Sequence, residues 1–392
     1  GACWRPSKRG HPKIGNLQLR TILIIKCNLK MKKILLFINS LGPGGAERQL
    51  AGLACMLKKN GYTIEVLCYD NNLFYKPLLD KEGVKITLLN SKKSKYQKII
   101  SAHNKIKAFN PDIVISYLEM ASIITCIDKL IFRAKYILFV SERNTTTIMN
   151  LSEKIRFFLF KIANIIIPNS YSQKDFINKN FPDLSKKTRV ISNFVDTEHF
   201  NNDLIRERHN IPKILIAAGI CESKNTIGLI EAAKILKEKN IKCIFEWYGV
   251  VKPKSEYTQT CEKKVKEYEL EEYFKFHEKT TKIKEAYLNA DYFCLPSIFE
   301  GTPNVIAEAM ACKLPIICSN VCDNHLYVTE GKTGFLFNPQ KYNDIADAII
   351  KALNLSDNAY KNMCETNRKV AEEKFSPQNF IDKYINIIES YI

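Results

Sequence analysis

The chain has 392 residues, of which 46% are hydrophobic and 26% charged, and its formal net charge is +18. This length suits two domains of roughly 150–200 residues, and the composition excludes a disordered chain. Its apolar runs fall far short of the roughly 18–20 residues that span a bilayer, so no transmembrane helix is expected.

The first 30 residues carry basic side chains but no acidic one, and Met31 begins MKKILLFINSLGPGG, a pattern typical of a natural start. Residues 1–30 are therefore interpreted as a leader outside the native fold. A targeting segment is the alternative interpretation, because the leader is basic and partly apolar.

The 13 cysteines are odd in number and form no C-x-x-C pair. No histidine or further cysteine stands at the spacing that would complete a zinc ligand set with Cys318 and Cys322. The cysteines therefore predict neither a disulfide framework nor a structural metal, and they favour a reducing cytosol.

The charge is distributed unevenly. Residues 31–200 carry a net charge of +12, whereas residues 201–392 carry −1. A cationic first half indicates an anionic partner, and nucleic acid, a membrane surface and a pyrophosphate-bearing substrate all fit that charge.

Short β-rich runs alternate with helical segments from Met31 onward. The first half predicts strands in KKILLFIN, YTIEVLCY, VKITLL, DIVISY, YILFVSE, NIIIPNS and RVISN. Continuous Ile, Val and Leu runs separated by helices are typical of a parallel sheet that is covered on both faces. Residues 31–200 are therefore predicted to form a doubly wound, Rossmann-like α/β domain.

The polar stretch 194–212 breaks this rhythm and is interpreted as a linker. The alternation restarts with strands in KILIAAG, IKCIFEWYG, YFKFH, DYFCLPS and LPIICSN, which predict a second Rossmann-like domain over residues 201–375. Residues 376–392 are expected to form a helix that packs back on the N-terminal domain. Ligands bind beyond the carboxyl ends of parallel strands, so the cleft between the domains is the expected site.

Two motifs near strand ends suggest phosphate binding. In SLGPGGAER, Gly44 and Gly45 let a ligand approach the backbone at a helix N-terminus, which favours anions. The alternative is that the glycines only form the turn, and the spacing does not match a dinucleotide fingerprint. Lys224, in AAGICESKN, follows the first strand of the second domain and either holds a phosphate or is an ordinary solvated lysine.

The stretch FEGTPNVIAEAMACKLPIICSN contains two glutamates eight positions apart. Glu300 is predicted in a loop at the ligand edge, and Glu308 on the helix that begins near Pro303. Carboxylates can bind sugar hydroxyls, and the free amides of a helix N-terminus can bind phosphate. Such a pair is common by chance, but a glutamate in so apolar a helix is costly to bury without partners, which favours function.

This block resembles the E-x7-E signature of retaining glycosyltransferases of the GT-B fold, family 4. GPGGAER, SYLEMAS, FVSERN, PNS and SKN occur in the order that this family shows, and the resemblance spans about residues 31–385. It is especially similar to bacterial enzymes that build surface polysaccharide or lipid-linked oligosaccharide.

The resemblance implies roles for individual residues. Glu308 would bind the ribose of a nucleotide, Glu300 the donor sugar, and Lys224 the departing diphosphate. The other donor-binding residues would be Gly301, Thr302, Pro303, Asn304, Val305, Gly219 and His277, and the phosphate or acceptor loop would comprise Gly44, Gly45 and Glu47. Neither a cofactor nor a bound metal is implied, because protein cations and helix dipoles would neutralise the leaving group.

The sequence departs from the family pattern at two positions. Gly219 stands where the family usually has an arginine, and Arg143 stands where many members have a histidine. The hypothesis is that Arg143 replaces the missing cation across the cleft as a catalytic residue, so that Arg143→Ala lowers turnover by orders of magnitude without unfolding the protein.

The expected activity is retaining transfer of a hexose or N-acetylhexosamine from a nucleotide sugar, with UDP expected, to a polyprenyl-diphosphate-linked glycan in bacterial surface polysaccharide biosynthesis. The basic segments KKSKYQKIISAHNKIKAF and SEKIRFFLFKIANII suit an anionic membrane surface, although ordinary surface helices are the alternative. A cytoplasmic protein, peripheral at the inner face of the cell membrane and without a nucleic-acid partner, is expected. A non-catalytic nucleotide-sugar-binding protein and a GT-B-type nucleotide-sugar epimerase stay open.

Overall fold

A computed structural model describes residues 32–89, 94–146, 148–202 and 206–391. The predicted leader lies outside the described residues. Two six-stranded parallel sheets organise the described chain, one in each half. The two-domain α/β architecture predicted from the alternation of strands and helices is confirmed.

The first sheet has the strand order β3-β2-β1-β4-β5-β6. Its strands are β1 (Lys33–Ile38), β2 (Thr63–Cys68), β3 (Lys85–Leu88), β4 (Ile113–Tyr117), β5 (Ile137–Glu142) and β6 (Ile165–Pro168). The helices that connect and follow them are α1 (Gly45–Lys59), α2 (Lys76–Lys81), α3 (Lys95–Phe109), α4 (Glu119–Phe132), α5 (Leu151–Leu159) and α6 (Tyr171–Asn180).

The second sheet has the order β12-β11-β10-β7-β8-β9. Its strands are β7 (Lys213–Ala217), β8 (Ile244–Val250), β9 (Phe274–Glu278), β10 (Tyr292–Leu295), β11 (Ile316–Ser319) and β12 (Gly334–Phe337). The helices of this half and the C-terminus are α7 (Thr226–Glu238), α8 (Glu256–Glu267), α9 (Ile283–Leu288), α10 (Asn304–Ala311), α11 (Asn324–Tyr327), α12 (Tyr342–Leu353), α13 (Asp357–Phe375) and α14 (Pro377–Glu389).

The strands are apolar without a break because both faces of each sheet are covered. In β1, Ile34 and Leu36 pack into the apolar cluster on one face, whereas Leu35 and Phe37 pack into the cluster on the other. Successive side chains of a strand point to opposite faces, so a strand covered on both sides reads as a continuous hydrophobic run. The second sheet likewise separates two buried clusters.

One predicted strand is absent from the sheets, and one strand was missed. RVISN forms no strand: Thr188 makes an isolated bridge with Ile166, and the ladder stops because Pro168 has no amide hydrogen to donate back. Conversely, β12 was missed, because its four residues form a short segment at the edge of the second sheet.

The chain crosses between the domains twice. The first crossing lies near Val195, whose amide donates to the carbonyl of Phe375 in the second crossing at 2.8 Å. After this point α14 returns to the first sheet, where Phe380, Ile381 and Tyr384 are buried in its apolar cluster. We therefore call β1–β6, their helices and α14 the N-terminal domain, and β7–β12 with α7–α13 the C-terminal domain. In the described chain, no helix combines the length and apolar character that a membrane crossing requires.

Candidate active site

The carboxyl ends of the central strands of both sheets border a cleft that contains two adjoining cavities. The first, of about 250 Å³, is lined by residues of both domains, including Arg143, Asn169, Lys224 and Glu300. The second, of about 370 Å³, is lined by Arg48, Gly219, Tyr248, Lys279 and Glu308, among others. Gly45, Asn304 and Val305 line both cavities, so these residues mark where the two cavities meet.

Glu300 and Lys224 form an ion pair on the C-terminal side of the cleft. Lys224 lies in a short 3-10 turn before α7, and Glu300 lies in the loop after β10. The two loops are joined by a hydrogen bond from the amide of Ile298 to the carbonyl of Ser223, at 2.9 Å. Ser297 Oγ donates to the same oxygen of Glu300 at 2.6 Å. The fold therefore brings the two predicted residues together within one domain.

Glu308 is buried, and both of its oxygens have partners. Arg48, from α1 of the N-terminal domain, donates to Oε1, and the Tyr287 hydroxyl donates to Oε2 at 2.9 Å. Burial lowers the pKa of Arg48, but the Glu308 charge and hydrogen bond outweigh it, so the pKa is raised overall. Burial, followed by the charge of Glu308, raises the pKa of Tyr287 well above its ordinary value, which keeps the hydroxyl a donor.

The N-terminus of α10 faces the cleft. The amide of Ile306 donates to the carbonyl of Pro303 at 3.2 Å, so the amides of Asn304 and Val305 precede the first bond of the helix. The preceding loop is held by the N-terminal domain, because Thr302 Oγ1 donates to the carbonyl of Asn169. These amides are available to an anionic group in the cavity.

The glycine loop before α1 touches the same helix. A Cβ atom added to Gly45 would lie 2.9 Å from Asn304 Nδ2, so any larger residue at this position would displace the Asn304 side chain. At Gly44 an added Cβ would overlap the carboxylate of Glu47, which folds back over the loop. Glu47 is not among the residues that line either cavity. At Gly301 an added Cβ would come within 3.2 Å of Thr145 Oγ1.

Arg143 lines the first cavity but is enclosed by neutral partners. Its guanidinium stacks on the ring of Tyr117 at 4.3 Å. It donates hydrogen bonds to the Ser141 hydroxyl, the Ile191 carbonyl, the Asn193 side chain and the hydroxyls of Tyr117 and Tyr384. An arginine has five N–H groups, so these acceptors match its full set of donors. Arg143 thus joins β4, β5, the first domain crossing and α14.

Gly219 and His277 differ in their relation to the second cavity. Gly219 lines it, and an added Cβ would meet no heavy atom within 4 Å. His277 does not line it but stacks on Tyr248, with ring centroids 4.3 Å apart, and Tyr248 forms the wall. Lys279 and Thr280, from the same FHEKT segment, also line the cavity.

The structure reveals contacts across the cleft that sequence reasoning missed. Arg48 lies in the motif GPGGAER but was given no role, although it follows Gly45 by one helical turn. Asp323 accepts hydrogen bonds from the amides of Tyr171 and Ser172, at 2.6 and 2.8 Å, and so caps α6 of the opposite domain. These contacts depend on how the two domains pack against each other, so no local sequence pattern predicts them.

Within the described ranges, no group of three or more His, Cys, Asp or Glu side chains is arranged to hold a metal ion. The cysteines there are all free, and most of them are buried in the apolar clusters. The charged groups of the two cavities are the two carboxylate–cation pairs, Arg143 and Lys279.

Two Rossmann-like domains that face each other across this cleft define the GT-B class of glycosyltransferases. The model of the family described as Glycosyltransferase Family 4 matches residues 43–199, and that described as Glycosyl transferases group 1 matches residues 201–370. Together, the two family models cover most of the N-terminal domain and most of the C-terminal domain. The chain belongs to this family of glycosyltransferases and is a transferase enzyme.

The chain is similar to named proteins over most of their length. A Campylobacter jejuni enzyme, N-acetylgalactosamine-N,N'-diacetylbacillosaminyl-diphospho-undecaprenol 4-alpha-N-acetylgalactosaminyltransferase, is 24% identical over 74% of this chain and 81% of its own. The amylovoran biosynthesis glycosyltransferase AmsD of Erwinia amylovora is 21% identical over 88% of this chain and 99% of its own. The crystal structure of Anabaena Alr3699/HepE with UDP superposes with a TM-score of 0.80 at 18% identity, covering 91% of this chain and all of that one.

Proposed function

We propose that the protein is a retaining glycosyltransferase that moves a hexose or N-acetylhexosamine from a UDP sugar to a polyprenyl-diphosphate-linked glycan, in bacterial surface polysaccharide biosynthesis. The observation that carries the proposal is the Lys224–Glu300 pair beside the free N-terminus of α10, with Glu308 on the same helix. The relatives named above act in glycan synthesis by name, and HepE binds UDP, which supports the donor and acceptor classes.

Each group in the cleft has a task in this reaction. Glu308 would accept hydrogen bonds from the ribose hydroxyls, and Glu300 from the hydroxyls of the transferred sugar. The bond between the anomeric carbon and the diphosphate oxygen breaks as a bond to the acceptor oxygen forms. The acceptor's proton passes to the departing diphosphate. Lys224 and the α10 amides stabilise the charge that develops on that diphosphate.

The acceptor's lipid would bring the enzyme to a membrane surface. On α5, Leu151, Ile155 and Phe158 are spaced by four and three residues and are each more than half exposed, as is Ile148 just before the helix. Lys154 and Lys161 lie in the same segment. An apolar stripe with nearby cations is typical of a helix that rests on anionic lipid. We therefore propose a cytoplasmic enzyme at the inner face of the cell membrane.

Transfer assays test the reaction. A panel of UDP-hexoses and UDP-N-acetylhexosamines is incubated with a polyprenyl-diphosphate-linked acceptor, and the anomeric configuration of the product is determined by NMR. We expect transfer with retention, and loss of transfer in Glu300→Gln. Binding without transfer would indicate a non-catalytic binder, and interconversion of the donor without acceptor would indicate an epimerase. Because no bound metal is proposed, turnover is expected to persist in EDTA.

Sedimentation with liposomes tests the membrane surface. Wild-type protein is expected to bind vesicles of anionic phospholipid at low salt and to dissociate at high salt, because screening weakens the attraction. Phe158→Glu is expected to reduce binding while the midpoint of thermal unfolding stays unchanged, since the ring is exposed. Tyr342→Glu, at an exposed ring of the C-terminal domain, is the matched control. Equal binding by both variants would contradict the assignment of α5.

A further inference from the structure

The second cavity has few charged residues for a site that is to take a diphosphate. Those lining it are Arg48, Lys279 and Glu308, and Gly219 contributes no side chain. Lys224 faces Glu300 in the first cavity. A departing diphosphate carries several negative charges, so the cations that can reach it decide how well it is stabilised.

Arg48 is placed to reach that position from the opposite domain. It lies one turn beyond Gly45 on α1, and Glu308 lies one turn beyond Asn304 on α10. Gly45 approaches Asn304, and Arg48 donates to Glu308, so the first turns of the two helices touch at two points. The Arg48 side chain therefore lines the same cavity as Asn304 and Val305, whose amides open α10.

The hydrogen bonds of Arg48 leave donors available. Among the described residues, its guanidinium is seen to bond only to Glu308, through Nη2, and its side chain is one-third exposed. Arg143, by contrast, has neutral acceptors for all of its donors. A planar guanidinium can bind a carboxylate and a phosphate oxygen with different N–H groups.

We infer that Arg48 binds the donor's diphosphate and supplies, from the N-terminal domain, the positive charge that position 219 lacks. The inference rests on the proposed function, because it assumes a nucleoside diphosphate in this cavity. It replaces Arg143 with Arg48 as the cation that compensates for Gly219. It also makes the donor a bridge between the domains, since Glu308 and Lys224 belong to one and Arg48 to the other.

Calorimetric titration with UDP and with uridine tests this inference. Removing a charged hydrogen bond to phosphate is expected to lower the UDP affinity of Arg48→Ala about tenfold or more. The uridine affinity should fall much less, because uridine keeps the ribose that Glu308 binds but has no phosphate for Arg48. Lys58→Ala, which removes an exposed cation from the last turn of α1, is the matched control and should change neither affinity.

Rescue separates diphosphate binding from a structural role. Gly219→Arg, placed where there is room for a side chain, is expected to restore most of the UDP affinity of Arg48→Ala. Arg48→Lys, which keeps the charge, should fall between wild type and Arg48→Ala, and it serves as the test if Arg48→Ala does not fold. Equal losses for UDP and uridine, unchanged UDP affinity or failed rescue would overturn the inference. Wild-type protein that binds no UDP would instead overturn the proposed donor.

Discussion

The two carboxylate–cation pairs of the cleft differ in what holds them together. Lys224 and Glu300 lie on neighbouring loops of one domain, joined by a backbone hydrogen bond between Ile298 and Ser223. Arg48 and Glu308 belong to different domains and meet only where α1 contacts α10. The first pair is therefore built into the C-terminal domain, whereas the second exists only when the domains are docked.

We therefore expect the two pairs to have different roles in the reaction. A pair fixed within one domain can prepare the sugar and leaving-group end of the donor before the domains close. A pair that spans the cleft couples nucleotide binding to closure, because Glu308 and Arg48 must both be in place.

Lys224→Ala should have the largest effect on turnover. The lost cation acts on charge that develops as the diphosphate leaves, so kcat is expected to fall about 10²–10³-fold. Steady-state kinetics with a fixed acceptor would measure this change. Lys237→Ala, at a partly exposed ion pair on the last turn of α7 and outside both cavities, is the control and should keep wild-type turnover. A Lys224→Ala enzyme with normal kcat would remove this pair from the chemistry.

Arg143→Ala tests whether the enclosed cation acts on the reaction or on the fold. The change leaves Tyr117, Tyr384 and Asn193 without a shared donor, and burial of such groups costs free energy. We expect the free energy of unfolding to fall by about 2–3 kcal/mol, measured by urea denaturation. A large loss of turnover with unchanged stability would instead support the direct catalytic role expected from the sequence.

Glu308→Gln should weaken donor binding more than it lowers kcat. The amide keeps the shape of the side chain but loses the charge that attracts the ribose hydroxyls and Arg48. We expect KM for the nucleotide sugar to rise about tenfold, because one or two charged hydrogen bonds become neutral. Unchanged KM with reduced kcat would contradict the assignment of Glu308 to the nucleotide.

Asp323→Asn should have the smallest effect, because it weakens domain docking without touching the cavities described above. Asp323 caps α6 across the domain interface with two backbone hydrogen bonds. Loss of a charged cap costs about 1 kcal/mol. KM for the donor is expected to rise severalfold, and kcat at saturating donor should stay the same. A change in kcat alone would indicate a role outside docking.

Features of the fold and site that follow from a local sequence pattern could be predicted from the sequence. The strand runs predicted two sheets, and the position of Glu300 after β10 and Lys224 after β7 predicted that both lie at one sheet edge. Burial of Glu308 is costly without partners, which the sequence indicated, and Arg48 and Tyr287 are those partners. Which residues these would be depends on the packing of α1 and α9 against α10.

The remaining features depend on contacts between segments far apart in the chain. The enclosure of Arg143 requires α14 to return to the N-terminal domain. Tyr384 then reaches Tyr117 at the end of β4, although the two residues are 267 positions apart. His277 on β9 pairs with Tyr248 on β8, and their rings stack. Because of this pairing, Tyr248 and not His277 lines the second cavity. No spacing in a single sequence contains that information.

A crystal structure of the protein with UDP would test the central claim most directly. We expect the ribose hydroxyls to lie within hydrogen-bond distance of Glu308, about 2.7–3.2 Å, with the diphosphate at the N-terminus of α10. Lys224 should contact the diphosphate from the C-terminal domain and Arg48 from the N-terminal domain. A ribose bound away from Glu308, or a diphosphate that contacts neither cation, would contradict it.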